Sequence, residues 1–395
     1  MNATAPFCGD LATASSLITR QDASGGVSAL LSGRRVRYSF NTRVAIRKTV
    51  EILGLKPGDE VLAPAYNCGS ELDPLRHAGL SIRLFPVPHS TVIDPDQIER
   101  MIAGRTRAIY LTHYFGFLQP ETAAIRKLCD ARGLRLIEDC ALSLLSGDAP
   151  AEGRTGDISL FCFYKFFPVL GGGALVVNAE NMAYPTAFAR PAPGKIVGKR
   201  LLRAAATDAL GPDRVARLIR YVRGANDASQ ASEVRTELRP DMPGHYYFDP
   251  DLRDTRISAI TLRALSGFDV AATIAARRAN YLRLLTAIAG IPSIAPLYSD
   301  LSATTVPLSM PLRVSGGHRN AMVARLQAEG IAATPWWSGY NRHLDFSDQP
   351  QVDLSAARAL KDTVLSLPIH QYLGPVEIDH IAARFRDLSG SIIRA

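Results

Sequence analysis

Short apolar runs alternate with amphipathic stretches between about residue 35 and residue 177, and turn residues separate them. The apolar runs predict strands at 60–63, 81–85, 107–112, 134–137, 158–163 and 174–177. The amphipathic stretches predict helices at 43–53, 72–77, 94–101 and 120–132. Strands that are apolar along their whole length and alternate with helices are typical of a mostly parallel sheet covered on both faces. Ligands bind to such sheets at the carboxyl ends of the strands.

The pattern changes on either side of this α/β region. Residues 1–34 show little periodicity and are predicted to form an N-terminal arm. Residues 195–255 are rich in arginine, then polar, then aromatic, which predicts a helical insertion and a mobile loop. A long helical pattern from about 257 to 285 leads into a smaller unit, with strands expected at 306–314 and 331–334 and helices at 319–329, 355–365 and 375–388. We therefore expect an arm at 1–34, a large domain at 35–265 and a small C-terminal α/β domain at 266–395.

Composition excludes several classes of protein. The 395 residues are 47% hydrophobic and 21% charged, as in an ordinary globular protein. No apolar run is long enough to span a membrane, and residues 1–20 lack the pattern of a secretory signal, so we expect a cytoplasmic protein. The 5 cysteines are scattered without a C-x-x-C pair, which argues against a disulfide framework and against a metal site.

The net charge of +8 comes largely from basic residues between 195 and 223. Two interpretations are open: attraction of an anionic partner, such as a phosphorylated or nucleotide-linked substrate, or a solvated helix face. No nucleic-acid-binding motif accompanies these residues, so we expect no nucleic-acid partner.

Lys165 follows an apolar strand, in a short proline-containing loop that ends in three glycines before a second apolar strand begins. A lysine is seldom fully buried without a partner. A lysine held between two core strands can form a Schiff base with a carbonyl group or an aldehyde cofactor. The alternative is a surface lysine in a turn, and the segment alone leaves both interpretations open.

Other residues can meet a ligand at the same edge of the sheet. Asp139 ends a buried strand, where its carboxylate can pair with a cation such as the pyridine nitrogen of pyridoxal phosphate; a helix cap or a metal ligand is the alternative. His113 can stack on a ligand or bond to it, or serve the structure alone. Thr42 and Arg43 begin a helix whose amides offer a phosphate seat, although Thr42 as a plain N-cap is the default.

Trp336 and Trp337 are adjacent in the sequence, near the boundary between the two predicted domains. This pair can line a substrate cleft there, or it can belong to a core or an interface. The sequence leaves both interpretations open.

Several segments carry the residues of one known family in the same order. Their sequences are LGLKPGDEVLAP (53–64), IEDCA (137–141), GDISLF (156–161), GGALVV (172–177), RIS (256–258) and SLPIH (366–370). From about residue 36 to residue 390 the chain thus resembles the DegT/DnrJ/StrS-type aminotransferases, which are fold-type-I pyridoxal phosphate enzymes. The resemblance implies an α/β fold with a mostly parallel central sheet flanked by helices, plus a smaller C-terminal α/β domain.

The resemblance also implies a cofactor, pyridoxal 5'-phosphate, and a homodimer. It assigns the Schiff base and the proton shuttle to Lys165, the pyridinium partner to Asp139, and the phosphate to Thr42 and Arg43. Cys68, next to Tyr66, occupies a position that often carries a ring stacked on the pyridine. In such enzymes an amino-acid donor, usually glutamate, supplies the amine that passes to a keto-sugar, usually linked to a nucleotide.

This sequence departs from the family pattern at three places. The lysine loop is two residues shorter, Leu142 replaces a polar contact to the cofactor, and Asp254 replaces an asparagine that a neighbouring subunit usually sends to the phosphate. Three hypotheses follow: an aminotransferase acting on a keto-sugar, a lyase, dehydratase or other non-transaminating enzyme with the same cofactor, and a non-catalytic member.

Overall fold

A computed structural model describes residues 5, 7–18, 26–184, 186–211, 214–215, 218, 242–344, 349 and 351–392. Its main feature is a seven-stranded sheet with the order β1-β7-β6-β5-β4-β2-β3. The strands are β1 (Val36–Ser39), β2 (Glu60–Pro64), β3 (Ser81–Phe85), β4 (Thr106–Thr112), β5 (Arg135–Asp139), β6 (Ile158–Cys162) and β7 (Gly173–Val177). Neighbouring strands from β3 to β6 are parallel, whereas β7 runs antiparallel to both β6 and β1. The prediction of a mostly parallel sheet is confirmed.

A second sheet of four strands, in the order β10-β11-β9-β8, forms the C-terminal unit. Its strands are β8 (Ile294–Pro296), β9 (Met310–Val314), β10 (Thr334–Pro335) and β11 (Val364–Leu367), and all neighbours are antiparallel. The sequence pattern missed β8 and β11, since the residues of β11 read as the end of the preceding helix. The predicted strand at 306–314 is shorter, because regular pairing begins only at Met310.

Helices cover both faces of the large sheet and pack beside the small one. They are α1 (Ala14–Leu17), α2 (Gly26–Ala29), α3 (Thr42–Ile52), α4 (Asp73–Arg76), α5 (Pro95–Met101), α6 (Thr122–Arg132), α7 (Gly194–Leu210), α8 (Ala259–Leu265), α9 (Val270–Ala287), α10 (Arg319–Ala328), α11 (Ser355–Thr363) and α12 (Pro375–Ile392). The predicted helices of the α/β region all appear, with ends shifted by a few residues. The polar segment 224–232, predicted as a mobile loop, lies outside the described residues.

The long helix predicted from 257 to 285 is wrong as a single element. It consists of α8 and α9, which meet at an angle of 75°. The break follows from local chemistry: the side chain of Asp269 accepts a hydrogen bond from the amide of Ala272 and starts a new helix there. None of the helices in the described ranges meets the length and polarity criteria for crossing a membrane by itself, while the bent pair α8–α9 meets them together.

The N-terminal arm packs onto the core of the large sheet in its described parts. A short 3-10 turn spans Cys8–Leu11, and Cys8, Leu17 and Val27 are almost completely buried. The hydrophobic cluster of the large sheet also takes in Trp336 from the C-terminal unit. The domain boundary at 265/266 therefore stays a prediction.

We expect Asp269→Ala to lower the free energy of unfolding by about 1 kcal/mol, because the first turn of α9 loses its N-cap. Urea denaturation measures the change. Asp249→Ala is the matched control, since Asp249 caps only the three-residue turn Pro250–Leu252 in the same way. If the free energy of unfolding falls equally in both variants, the cap of Asp269 contributes no more than the cap of a three-residue turn, which would contradict its role in starting α9.

Candidate active site

The candidate site lies where the carboxyl ends of β5 and β6 meet the N-terminus of α3. Asp139 is the last residue of β5, Lys165 is the third residue after β6, and Thr42 is the first residue of α3. The hydroxyl of Thr42 donates to the carbonyl of Phe161 at 3.3 Å, which joins the start of α3 to the end of β6. Three of the sequence-predicted residues therefore come together at one edge of the sheet.

Lys165 is half-buried, and its amine bonds to no other part of the chain that the structure describes. Its charge nevertheless acts on its surroundings. Burial raises the pKa of the Cys162 thiol, and the Lys165 ammonium opposes that rise. The same ammonium lowers the pKa of Cys68, which burial and then Glu71 raise. The lysine therefore lies among Cys68, Glu71 and Cys162 with its amine free to react.

Asp139 is buried and firmly oriented. One carboxylate oxygen accepts from the hydroxyl of Tyr110 at 2.8 Å, and the other accepts from the amide of Ala141 at 2.9 Å. Its charge raises the pKa of Cys162, whereas the charge of Lys165 lowers it. Asp139 and Lys165 therefore both act electrostatically on Cys162 at the end of β6.

His113 lies on the opposite side of the strand from Asp139, against Glu138. Its Nδ1 accepts from the amide of Gln119 at 2.9 Å, so Nε2 carries the proton and donates to Glu138 at 2.9 Å. Because both ring nitrogens are engaged and the ring is buried, this arrangement favours a structural role over contact with a cofactor. His113, Glu138 and Cys140 also have metal-ligand atoms within 4.8 Å of one another, but the bonded ring leaves no lone pair for an ion.

Glu138 holds this opposite side together. Its other oxygen accepts from the amides of Gly156 at 2.7 Å and Thr155 at 3.1 Å. Burial acts to raise the pKa of Glu138, but the bonds from His113 and from these amides outweigh burial and keep the pKa below its ordinary value. The carboxylate therefore stays charged and fixes the loop before β6.

The N-terminus of α3 has the features of a phosphate seat. The N-cap is Asn41, whose side chain accepts from the amide of Val44 at 3.0 Å, so the default of Thr42 as the cap is wrong. Within the described chain, no group accepts from the amides of Thr42 and Arg43. A methyl group on Gly173 would lie 2.8 Å from the Thr42 nitrogen, so only glycine lets β7 approach the helix this closely. Two amides at a helix N-terminus are available to an anion.

The side chain of Arg43 turns away from this seat. Its guanidinium donates to the carbonyls of His245 and Tyr247, both at 2.8 Å. Together with Arg200, it lines a cavity of about 500 Å³ between α3, α7 and the segment 244–252. Only the backbone amide of Arg43, and not its charge, is placed to act at the seat.

Tyr66 and Cys68 have different surroundings. Tyr66 is fully buried, with its ring 5.6 Å from that of Tyr114 and 5.2 Å from that of Trp337. Cys68 is half-buried and lies within reach of the Lys165 charge. The structure therefore brings Cys68 to the lysine and places Tyr66 in an aromatic cluster beside it.

The two tryptophans belong to that aromatic cluster. Trp336 is buried, 5.0 Å from Phe115 and 5.8 Å from Phe7 between ring centroids, which favours the core alternative for this residue. Trp337 is half-buried, with a φ of 53°. Its position leaves the cleft alternative open for the second tryptophan.

Glu71 is a candidate that the sequence pattern missed. It is buried, one carboxylate oxygen accepts from the amide of Cys68 at 2.9 Å, and the other has no partner among the described residues. Burial, reinforced by the charge of Asp139, raises the pKa of Glu71, and the Lys165 ammonium opposes the rise. An acidic residue in the segment that follows the buried strand β2, at the carboxyl edge of the sheet, is the sequence feature that could have identified Glu71.

Known proteins with related sequences identify this arrangement. The sequence profile described as the DegT/DnrJ/EryC1/StrS aminotransferase family matches residues 40–190 and 252–386, well over half of the chain. The chain belongs to the DegT/DnrJ/EryC1/StrS aminotransferase family. The resemblance drawn from the sequence motifs is confirmed, and Thr42, Asp139 and Lys165 all lie within the matched ranges.

Curated relatives match parts of the chain. GDP-perosamine synthase of Vibrio cholerae is 28% identical over 163 residues, which are 40% of this chain and 44% of that protein. The dTDP-3-amino-3,4,6-trideoxy-alpha-D-glucose transaminase of Micromonospora megalomicea subsp. nigra is 27% identical over 257 residues, or 58% of this chain and 67% of that one. The 3-oxo-glucose-6-phosphate:glutamate aminotransferase of Bacillus subtilis (strain 168) is 34% identical over 40% of this chain and 36% of its own length. The chain thus spans less than half the length of two of these three relatives.

Solved structures confirm the fold. The aminotransferase TlmJ from Streptoalloteichus hindustanus has a TM-score of 0.64 at 19% identity, over 91% of this chain and 87% of that one. Helicobacter pylori PseC, an aminotransferase involved in the biosynthesis of pseudoaminic acid, has a TM-score of 0.64 at 17% identity, over 95% and 93% of the two chains. The fold-type-I aminotransferase fold expected from the sequence is confirmed.

Aminotransferases of this family use pyridoxal 5'-phosphate. The residues of the site fit that group: the two available amides of α3 suit its phosphate, the buried carboxylate of Asp139 suits its pyridinium nitrogen, and the amine of Lys165, which has no partner among the described residues, suits its aldehyde. The close approach of Gly173 to Thr42 brings the seat to the end of the lysine loop. The cofactor prediction is consistent with the geometry of the site.

The departures from the family pattern have local structural explanations. Leu142 is buried and contributes to the hydrophobic cluster of the large sheet. Asp254 pairs with Lys48 at 3.4 Å and accepts from the amide of Ala189 at 3.2 Å. In this chain the acid is therefore bound to its own neighbours rather than directed at a phosphate.

Glu71→Gln and Glu138→Gln should change stability in opposite directions. The raised pKa of Glu71 means that its stabilising contribution is present below the unfolded-state value and is lost as pH rises through the folded-state value. Glu71→Gln should therefore gain stability over the parent protein as pH rises above 4.5, the ordinary pKa of a glutamate.

The pKa of Glu138 is lowered, so its contribution is present above the unfolded-state value and is lost as pH falls through the folded-state value. Glu138→Gln should therefore lose stability at about pH 8, and the loss should shrink toward about pH 4. Urea unfolding at a series of pH values measures both variants. A shift in the same direction for the two would overturn the assignment of the two carboxyls.

Proposed function

We propose that this chain is a pyridoxal phosphate-dependent aminotransferase with Lys165 as its reactive lysine. It transfers an amino group from an amino-acid donor, glutamate, to a keto-sugar. The observation that carries the proposal is an amine without a partner among the described residues, located between a buried carboxylate and the N-terminus of a helix. Membership of an aminotransferase family supports the reaction class.

The residues of the site have separate roles in this proposal. When bound, pyridoxal phosphate supplies an electron-withdrawing ring that stabilises negative charge beside the transferred nitrogen. The amides of Thr42 and Arg43 would hold its phosphate. Asp139, oriented by Tyr110 and Ala141, would accept the hydrogen of the ring nitrogen and favour its protonated form.

Lys165 moves the proton. Its amine bonds to no described residue, and it lies on a flexible four-carbon chain, so it could take a proton from a carbon atom of a bound substrate and return it to another. A general base must come within hydrogen-bond reach of the proton that it abstracts. The short loop around Lys165 therefore has to hold the backbone of this residue in a defined place.

The acceptor that we propose is a nucleotide-linked keto-sugar, in surface polysaccharide or secondary-metabolite biosynthesis. The names of the relatives from Vibrio and Micromonospora, which refer to GDP- and dTDP-linked sugars, support this class. The cavity of about 500 Å³ beside α3 supports it further, because two arginines, Arg43 and Arg200, outnumber the acid Asp249 in its lining, and a net positive lining suits a diphosphate.

We also propose that the chain acts as a cytoplasmic homodimer. Leu202 and Leu210 are large exposed apolar side chains on α7. Burial of this surface against a second copy of the chain would favour self-association. Light scattering coupled to size-exclusion chromatography tests this part. A monomer at micromolar concentration would count against it.

Lys165→Ala should abolish the visible absorption that the parent protein acquires with pyridoxal phosphate, because the Lys165 amine lies at the candidate site and has no partner among the described residues to prevent its reaction with the aldehyde. Lys56→Ala is the control, since Lys56 is an exposed lysine away from the site. Absorption spectra of the three proteins after removal of free cofactor give the answer. Retention of the visible absorption band in Lys165→Ala would contradict the assignment of Lys165 as the reactive lysine.

Addition of glutamate to the loaded parent protein should replace the visible band with the near-ultraviolet absorption of pyridoxamine phosphate. A panel of amino acids in place of glutamate identifies the preferred donor. If no amino acid produces this change, transamination is wrong, and a lyase or dehydratase on the same fold becomes the better hypothesis.

A further inference from the structure

The backbone carbonyls of Tyr164 and Phe166, the two neighbours of Lys165, both accept hydrogen bonds from outside the loop. The carbonyl of Tyr164 accepts from the amide of Gly9 at 2.7 Å. The carbonyl of Phe166 accepts from the side-chain amide of Gln371, also at 2.7 Å. The first donor belongs to the N-terminal arm and the second to the turn before α12, so opposite ends of the chain meet at the lysine.

Gln371 is held in turn by a buried arginine. The Nε of Arg277 donates to the side-chain oxygen of Gln371 at 2.9 Å, while one terminal nitrogen donates to the carbonyl of Leu308 at 2.9 Å. Arg277 is completely buried, and its guanidinium lies 4.9 Å from the ring centre of Phe166. A buried charge is costly unless its bonds are well satisfied. These contacts fix both the backbone and the ring of Phe166.

The N-terminal arm packs closely against Tyr164, on the other side of Lys165 from Phe166. The ring of Phe7 lies 5.7 Å from that of Tyr164 in an edge-on arrangement. A methyl group on Gly9 would lie 3.0 Å from both the Cβ and the carbonyl oxygen of Tyr164, so a side chain there requires the arm or Tyr164 to shift by a few tenths of an ångström. The other terminal nitrogen of Arg277 lies 3.2 Å from the sulfur of Cys8, which joins the arm to the same buried arginine. These arm residues lie outside the ranges matched to the family.

We propose that Gly9 and Gln371 are positioning residues that clamp the backbone before and after Lys165, at the carbonyls of Tyr164 and Phe166, with Arg277 fixing the clamp. This inference rests on the proposed function of Lys165. The lysine itself bonds to no described residue, so the direction of its side chain depends on the backbone from which it projects. The clamp supplies that direction and leaves the amine free.

Catalysis supplies the reason for such a clamp. A misplacement of about 1 Å at a reacting group can lower a rate by about two orders of magnitude. The lysine loop is two residues shorter than the family pattern that the sequence resembles, and Lys165 lies only three residues after β6. The amides of Phe166 and Phe167 donate to the carbonyl of Phe163 and give the loop a turn of its own, and the contacts from the two ends of the chain add to that turn.

The test uses two variants, each with a matched control. Gln371→Leu removes the bond to Phe166, and its control Gln327→Leu removes a similar bond, from the Gln327 side chain to the carbonyl of Ala333 at 2.8 Å, far from the loop. Gly9→Ala crowds the contact between the arm and Tyr164, and its control Gly104→Ala places a methyl group where no atom lies within 4 Å. The variants act from opposite ends of the chain, so a folding failure in one leaves the other informative.

Hydrogen–deuterium exchange of the peptide spanning 163–172 is measured first, in the full-length protein without added cofactor. Exchange in this loop should be about fivefold faster in Gln371→Leu and Gly9→Ala than in their controls, which is the factor expected from the loss of one hydrogen bond. In the loaded enzyme, kcat should fall about tenfold with KM for the donor nearly unchanged, because positioning of the lysine affects the chemical step.

Loop exchange equal to that of the controls in both variants would overturn the clamp. Faster exchange with an unchanged kcat would also overturn the positioning role, because the contacts would then serve stability alone. The exchange measurement does not depend on the cofactor. A failure of the Lys165→Ala test would therefore remove the proposed function without affecting the evidence for the clamp.

Discussion

The bonds of Glu138 are the constraint on which the rest of the site depends. Successive residues of a strand point to opposite faces, so a carboxylate fixed on one face determines where its neighbour points. Glu138 is buried and accepts from His113, Thr155 and Gly156, which leaves Asp139 no direction other than the ligand side. The same bonds fix the loop that leads into β6, and hence the strand from which Lys165 follows.

The face of the sheet that carries Asp139 contains buried acidic groups, and these lower the stability of the fold. Glu71 and Asp139 are buried acids, and one oxygen of Glu71 has no partner among the described residues. Buried groups of this kind lower stability, and proteins retain them where function requires them. The two faces of the sheet thus differ in their hydrogen bonding. On one face His113 and Glu138 bond to each other and to backbone amides. On the other face the amine of Lys165 and one oxygen of Glu71 have no partner among the described residues and are available to a ligand.

Patterns local in the sequence predicted most of the large sheet and its three central site residues. Lys165, Asp139 and the start of α3 each follow from a strand end or a helix start, which short segments encode. Strand β1 was missed because it has four residues at a sheet edge, and its partner β7 lies more than 130 residues away. Glu71, the partners of His113 and the docking of the arm depend on contacts between distant segments, which the spacing of a single sequence does not encode.

The contact of the arm with the C-terminal turn joins residues that are 363 positions apart, Cys8 and Gln371. Chains emerge from the ribosome N-terminus first, so the arm is made long before the residues that hold it. Until residue 371 has emerged, Phe7 and Cys8 have no complete surface to bury them. Docking of the arm is therefore a late event of folding, and the lysine loop reaches its final geometry only when the whole chain has been synthesised.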